Sequence, residues 1–304
     1  MFQAKIVLNG HAGPIYAASW DGTYLYSSSG DKYVTRWNIV SGLQDTSFTV
    51  KLEHAAYTLA VNSKVCCIGS TDGTLIAVDT ESKRVLWEHN FFGNAWFSLL
   101  INEEKNWLIA GDSEGNLMVL DVDSGNRILH LPLAAGKIRS LSISNNYCFV
   151  CTQLIGILVF SIETWNEIAS WEPNELGSNV ILPELSQNRI ITAGRDAHLV
   201  ISDLNYQVIQ KTPLHHQTIY GLIRIGNQFI TSSMDKTIKV WKSNFKEIDQ
   251  KMEFKNGGHN RSVNGLVFID EQTFASYGDD KKIIVWKKNR RLFGLKIDSD
   301  SEIS

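Results

Sequence analysis

Apolar residues along this chain arrive in short alternating runs broken by clusters of Gly, Asp, Asn and Ser, and no window keeps a helical spacing. Residues 263–269 read as a strand, 270–272 as a turn, 273–276 as a strand, 278–280 as a turn and 282–286 as a strand. The same order runs through 15–20, 21–22, 24–28, 30–31 and 33–37. The unit returns seven times at a period of about 40 residues. It closes on Trp37, Val78, Leu120, Phe160, Ser202, Trp241 and Trp286. A sheet of three or four short strands cannot bury both of its apolar faces alone, so the units must stack face to face around an axis. The predicted fold class is all-β, a closed ring of seven blades. Residues 3–8 form a strand without a hairpin partner and are expected to complete the blade built from 263–286. Residues 292–297 are also strand-like and compete for that edge.

Composition narrows the reading. The chain has 304 residues, 43% of them hydrophobic and 20% charged, with a formal net charge of -3. That balance fits a globular chain and argues against a general nucleic-acid or membrane-surface binder. No Pro/Gly-rich linker divides it, so residues 1–290 are expected to form one domain and 291–304 a partly disordered C-terminal tail whose last residues, 298–304, are acidic. Neither a signal peptide nor an apolar run long enough to span a membrane is apparent, and a cytoplasmic location is expected, or a nuclear one in a eukaryote. Cys66, Cys67, Cys148 and Cys151 lie in strand-like runs. Positions three apart in a strand point to opposite faces, so the C-x-x-C letters of 148–151 predict buried thiols and no metal site.

Three repeats carry a fuller signature. His11, Ser27, Asp31 and Trp37 recur in order as His215, Thr231, Asp235 and Trp241, and as His259, Ser276, Asp280 and Trp286. The acid stands six residues before the Trp and the hydroxyl four before the acid. A His beside an acid and a hydroxyl has the makings of a catalytic triad. Three copies, each ending at a Trp, are instead what a structural network needs, whereas catalysis needs one. The pattern resembles the WD-repeat β-propeller family, in which these four side chains form a hydrogen-bonded relay inside each blade. The resemblance implies a seven-bladed β-propeller in which each Asp holds a turn and bonds its His, and each hydroxyl joins that His to the indole N–H. The middle repeats depart from it. Asp72 keeps the acid, Glu114 and Leu154 stand in its place, and Asp196 with Thr192 lacks an obvious His.

Residues 77–87 resemble the tryptophan-docking segment of quinoprotein dehydrogenase propellers, with Ser82 and Lys83 where Thr and Gly are usual. Read from the residues alone, Asp79 and Ser82 cap a hairpin and Trp87 packs between blades. Neither a cofactor nor enzymatic activity is expected.

In WD-repeat proteins partners dock most often around the central channel, on the face that holds the relay Asp. The resemblance implies Tyr16, Tyr57, Trp96 or Phe97, Arg139, Ile181, Tyr220 and Asn264 at the starts of the inner strands there. Arg195, Met234 and Asp279 would join them from the turns. The expected function is a non-enzymatic scaffold that binds a protein or peptide on this rim, a monomer as an isolated chain and working within a complex. The alternative is an anion reader for phosphopeptide, anionic lipid or nucleic acid, using Arg139 and Arg195 or the basic cluster 287–291.

Overall fold

The computed structural model describes residues 1–91 and 93–289. Their 28 strands pair into seven four-stranded antiparallel sheets. Blades 1 to 6 use consecutive strands within residues 15–51, 56–90, 96–132, 138–171, 178–213 and 219–252. Blade 7 takes three strands from 263–288 and its outermost from the N-terminus. Phe2–Asn9 lies antiparallel to Lys282–Lys288, with Leu8 opposite Ile283 and Ala4 opposite Trp286. The first residues of the chain therefore fasten its last blade, as expected. The competing segment 292–297 lies outside the described residues.

Face-to-face packing fixes the ring. Strands buried on both faces read as near-continuous apolar runs, and Val65–Ser70 and Thr273–Gly278 are buried at every position. Each of the seven apolar clusters sits between two neighbouring blades. That between blades 2 and 3 gathers Cys67, Leu75, Trp87, Trp96 and Leu120. The seam between blades 7 and 1 holds Leu8, Trp37, Tyr277 and Val285. Inner strands touch all the way round, and Val263–Asp270 meets Ile15–Trp20 to close the circle.

The four cysteines are free and buried. Cys148 and Cys151 enter different clusters, one facing blade 3 and the other blade 5. Cys66 and Cys67 likewise split between the two faces of blade 2. Among the described residues no helix is long and apolar enough to cross a membrane, and no cluster of ligands could hold a metal ion.

Candidate interaction surface at the channel mouth

The three full signatures form the same relay. In blade 1 the Trp37 indole donates to Ser27 Oγ at 2.7 Å, Ser27 Oγ lies 2.8 Å from His11 Nε2, and His11 Nδ1 lies 2.8 Å from Asp31. In blade 6 Trp241 donates to Thr231 at 2.9 Å, and His215 spans Thr231 at 2.7 Å and Asp235 at 2.9 Å. In blade 7 Trp286, Ser276, His259 and Asp280 are joined by three contacts of 2.8 Å.

Donors and acceptors match in one direction. An indole N–H can only donate, so the hydroxyl accepts it and gives its own proton to Nε2, leaving Nδ1–H to donate to the carboxylate. That assignment needs a neutral imidazole. Burial lowers the pKa of His11 and His215, and the neighbouring carboxylates offset it only in part. Burial alone would raise Asp31, Asp235 and Asp280; hydrogen bonds from each His and from backbone amides outweigh it and hold them ionised. Each Asp thereby ties a loop to a turn. Asp31 accepts from the amides of Ala12 at 2.8 Å and Tyr33 at 3.0 Å.

Blades 3 and 5 keep the bracing with other residues. Asn174, fully buried, donates to Asp196 at 3.0 Å and accepts from Thr192 at 3.0 Å, the two jobs of the missing His. In blade 3 it is not Glu114 that holds the turn. Buried Asp112 accepts from the amides of Glu114 at 2.9 Å and Asn116 at 2.7 Å, and from the Asn94 side chain at 3.1 Å. Blade 2 lacks the relay: His54 is half exposed, 4.0 Å from Asp72.

What this bracing positions is a ring of seven bulges. In every inner strand the pairing register skips the second residue of the strand, and Val263–Asp270 skips Ile269 as well. A bulge leaves one residue outside the ladder and re-aims its side chain. The seven skipped at the second position are Tyr16, Tyr57, Phe97, Arg139, Asn179, Tyr220 and Asn264. All but Asn179 line a cavity of about 400 Å³, joined there by Met234, Ser262 and Asp279. Asn179 joins them in a deeper space of about 290 Å³ between the inner strands.

Two rim expectations are corrected by this register. Trp96 is fully buried between blades 2 and 3, its indole donating to Gly73 O at 2.8 Å, and Phe97 faces the channel instead. Ile181 packs in the core between blades 4 and 5, and Asn179 takes its place. Trp96 and Phe97 differ by one residue, which in a strand turns a side chain to the other face, whereas Ile181 lies two residues past Asn179, an offset in where the strand begins. Asn264 both lines the cavity and spans the closing seam, donating to Ile15 O at 2.9 Å. Arg195 lies exposed in the turn of blade 5.

The mouth is chemically lopsided. Tyr16, Tyr57 and Phe97 form a continuous aromatic wall, with ring centroids 4.9 Å and 5.3 Å apart. At one end stands Asp279, held by Asn264 at 2.7 Å, and with burial and Tyr57 it raises the Tyr16 phenol. At the other end stands Arg139, whose pKa is lowered by burial and by the nearby charge of Arg195.

Residues 207–242 and 250–287 match the family model described as WD domain, G-beta repeat. The chain is a seven-bladed β-propeller with WD repeats. The family model described as Outer membrane protein assembly factor BamB matches residues 4–178, more than half of the chain. No curated protein matches the WD-repeat chain. Within the region of that second match, Trp87 of the propeller donates its indole N–H to Val122 O of blade 3 at 2.7 Å. Its ring covers Gly125, where an added Cβ would lie 2.5 Å from the indole. The segment 77–87 thus docks a Trp onto the neighbouring blade. Of the basic cluster, Lys287 is exposed and Lys288 bonds Gln228 at 2.8 Å, whereas residues 290 and 291 lie outside the described residues.

Proposed function

We propose that this WD-repeat propeller is a non-enzymatic scaffold that binds a protein or peptide at its channel mouth. The observation that carries the reading is the cavity of about 400 Å³, six of whose nine lining residues are ones that the bulges release from the sheets. Those side chains are free of core duty. Aromatic and Arg residues on a rigid rim bury large area at little torsional cost, which is the composition of interface hot spots. The three relays carry no reactive hydroxyl at a cavity; each is spent between strands of its own blade, which supports the non-enzymatic reading. The four free thiols support a reducing compartment, in keeping with a cytoplasmic protein.

The test is an affinity pull-down with the wild-type chain beside a variant carrying Tyr16→Ala, Arg139→Ala, Arg195→Ala and Tyr220→Ala, once both are shown to melt alike. Partners lost only by the variant support the mouth as the interface. Partners retained by both move it to the blade edges or the basic strand end near Lys287.

A further inference from the structure

Arg139 is the one bulged residue with a full charge, and its hydrogen-bonding capacity is almost unused. Its Nε is buried with no partner, and its single contact, Nη2 to Gln153 Oε1, is 3.5 Å long. Among the described residues it pairs with no carboxylate, although the protein elsewhere forks its arginines closely. Arg36 reaches Asp45 through Nε at 2.9 Å and Nη2 at 2.5 Å, and Arg189 reaches Glu184. A half-buried guanidinium with an orphaned N–H is costly, because Nε has left water and nothing has replaced it. The neighbours make matters worse. Arg195 bears on Arg139 with a like charge, and Lys137 rides 4.6 Å over the Phe97 ring on the same side. The carboxylate of the cavity, Asp279, is engaged with Asn264 at the far side of the aromatic wall.

We propose that Arg139 is the anchor of an anion subsite, and that the mouth takes a linear peptide with a carboxylate or phosphate side chain directed at blades 4 and 5. The proposal rests on the scaffold reading and specifies its ligand. The guanidinium presents its free edge to two oxygens at once, Arg195 reinforces the field, and the residue beside the anion lies along Tyr16, Tyr57 and Phe97. A carboxylate or phosphate supplies acceptors for the terminal nitrogens, whereas a cationic side chain meets three positive groups. Protein peptides are favoured over a membrane or nucleic acid because the subsite is recessed in a cavity of side-chain size.

The test uses the full chain and immobilised degenerate nonapeptides whose central residue is fixed as Glu, phosphoserine, Gln or Lys. Wild type is expected to be retained about tenfold more on the Glu or phosphoserine set than on Gln or Lys. The stronger of the two anionic sets identifies the source. Arg139→Met, which keeps the aliphatic stem, is expected to abolish the preference and to melt no lower than wild type. Equal retention on all four sets, or no retention on any, overturns the anion subsite; so does a lower melting temperature for Arg139→Met, which would make the guanidinium a structural group. The two readings fail separately. Partners lost by the fourfold alanine variant alongside indifference to peptide charge would leave the scaffold standing without its anion subsite. An anion preference removed by Arg139→Met, with partners unaffected by the fourfold change, would do the reverse.

Discussion

The Asn264 side chain, released from blade 7 by a bulge, donates to the Ile15 carbonyl of blade 1 at 2.9 Å. It bridges the first inner strand to the last, where the chain has no covalent continuity, and the same seam is buttressed from outside by Phe2–Asn9. Ring closure is therefore a joint product of both chain ends. Removing residues 1–8 strips blade 7 of its outer strand and exposes Trp286 and Ile284. A large fall in melting temperature with loss of a single cooperative transition is expected in calorimetry; an unchanged trace would refute the role given to the N-terminal strand.

The relay carboxylates brace the loop before each inner strand against the turn of the same blade. Asp235→Ala leaves His215 Nδ1 and the amides of His216 and Thr237 without their acceptor, and is expected to cost about 1–3 kcal/mol in urea unfolding. A loss below a few tenths of a kcal/mol would mean that water replaces the carboxylate.

Acid should weaken the fold in two stages. His11 and His215 have folded pKa values depressed below 6.5, so the unfolded chain takes up protons first as pH falls. Their contribution is complete above 6.5 and is lost as pH drops through the folded values. The depressed carboxylates Asp31, Asp235 and Asp280 follow below 3.8. Unfolding free energy measured down from neutral pH should decline from about 6.5 downward, and His11→Asn should flatten the first stage. A wild-type profile flat to pH 5 would contradict the neutral relay.

Gly125 has φ +69° and lies under the Trp87 ring. Gly125→Ala adds both backbone strain and a clash, and should destabilise by roughly 2 kcal/mol, whereas Gly22→Ala, also at positive φ but in open space, should cost only the strain. Equal losses at the two sites would show that Trp87 docking contributes nothing.

The thiols should be inert in the native protein. Burial pushes Cys67 and Cys148 up to about 12, and raises Cys66 and Cys151 as well. A disulfide-exchange reagent is expected to titrate none of them until denaturant is added. Rapid labelling of even one would place it in a region that opens locally.

Much of this was legible in the chain before its structure. The seven-fold period and the His–hydroxyl–Asp–Trp series are written in residues whose chemistry permits few other uses, and an unpartnered strand at residues 3–8 implied the fastening of blade 7. What escaped was of two kinds. The bulges leave no letter in the sequence, so the resemblance left Trp96 and Phe97 as alternatives and named Ile181 where Asn179 stands. Function was also transferred between residue types: Asn174 supplies from one amide the donor and acceptor of a histidine, and Asp112, two residues ahead of Glu114, caps the same turn from a different strand position. A search for Asn before the inner strand, paired with an acid in the next turn, would have found both.

The ring of bulges separates what the chain must keep from what it is free to rewrite. Each blade hands one side chain to the mouth from a position that the interleaved core does not use. The surface is in effect a seven-character address, Tyr-Tyr-Phe-Arg-Asn-Tyr-Asn, spelled one character per repeat. The two Asn also tie their blades to the next, through Ile219 O and Ile15 O, but changing an aromatic character or the Arg should redirect the protein to another partner without renegotiating its stability, and a lineage could explore many addresses on one unaltered frame.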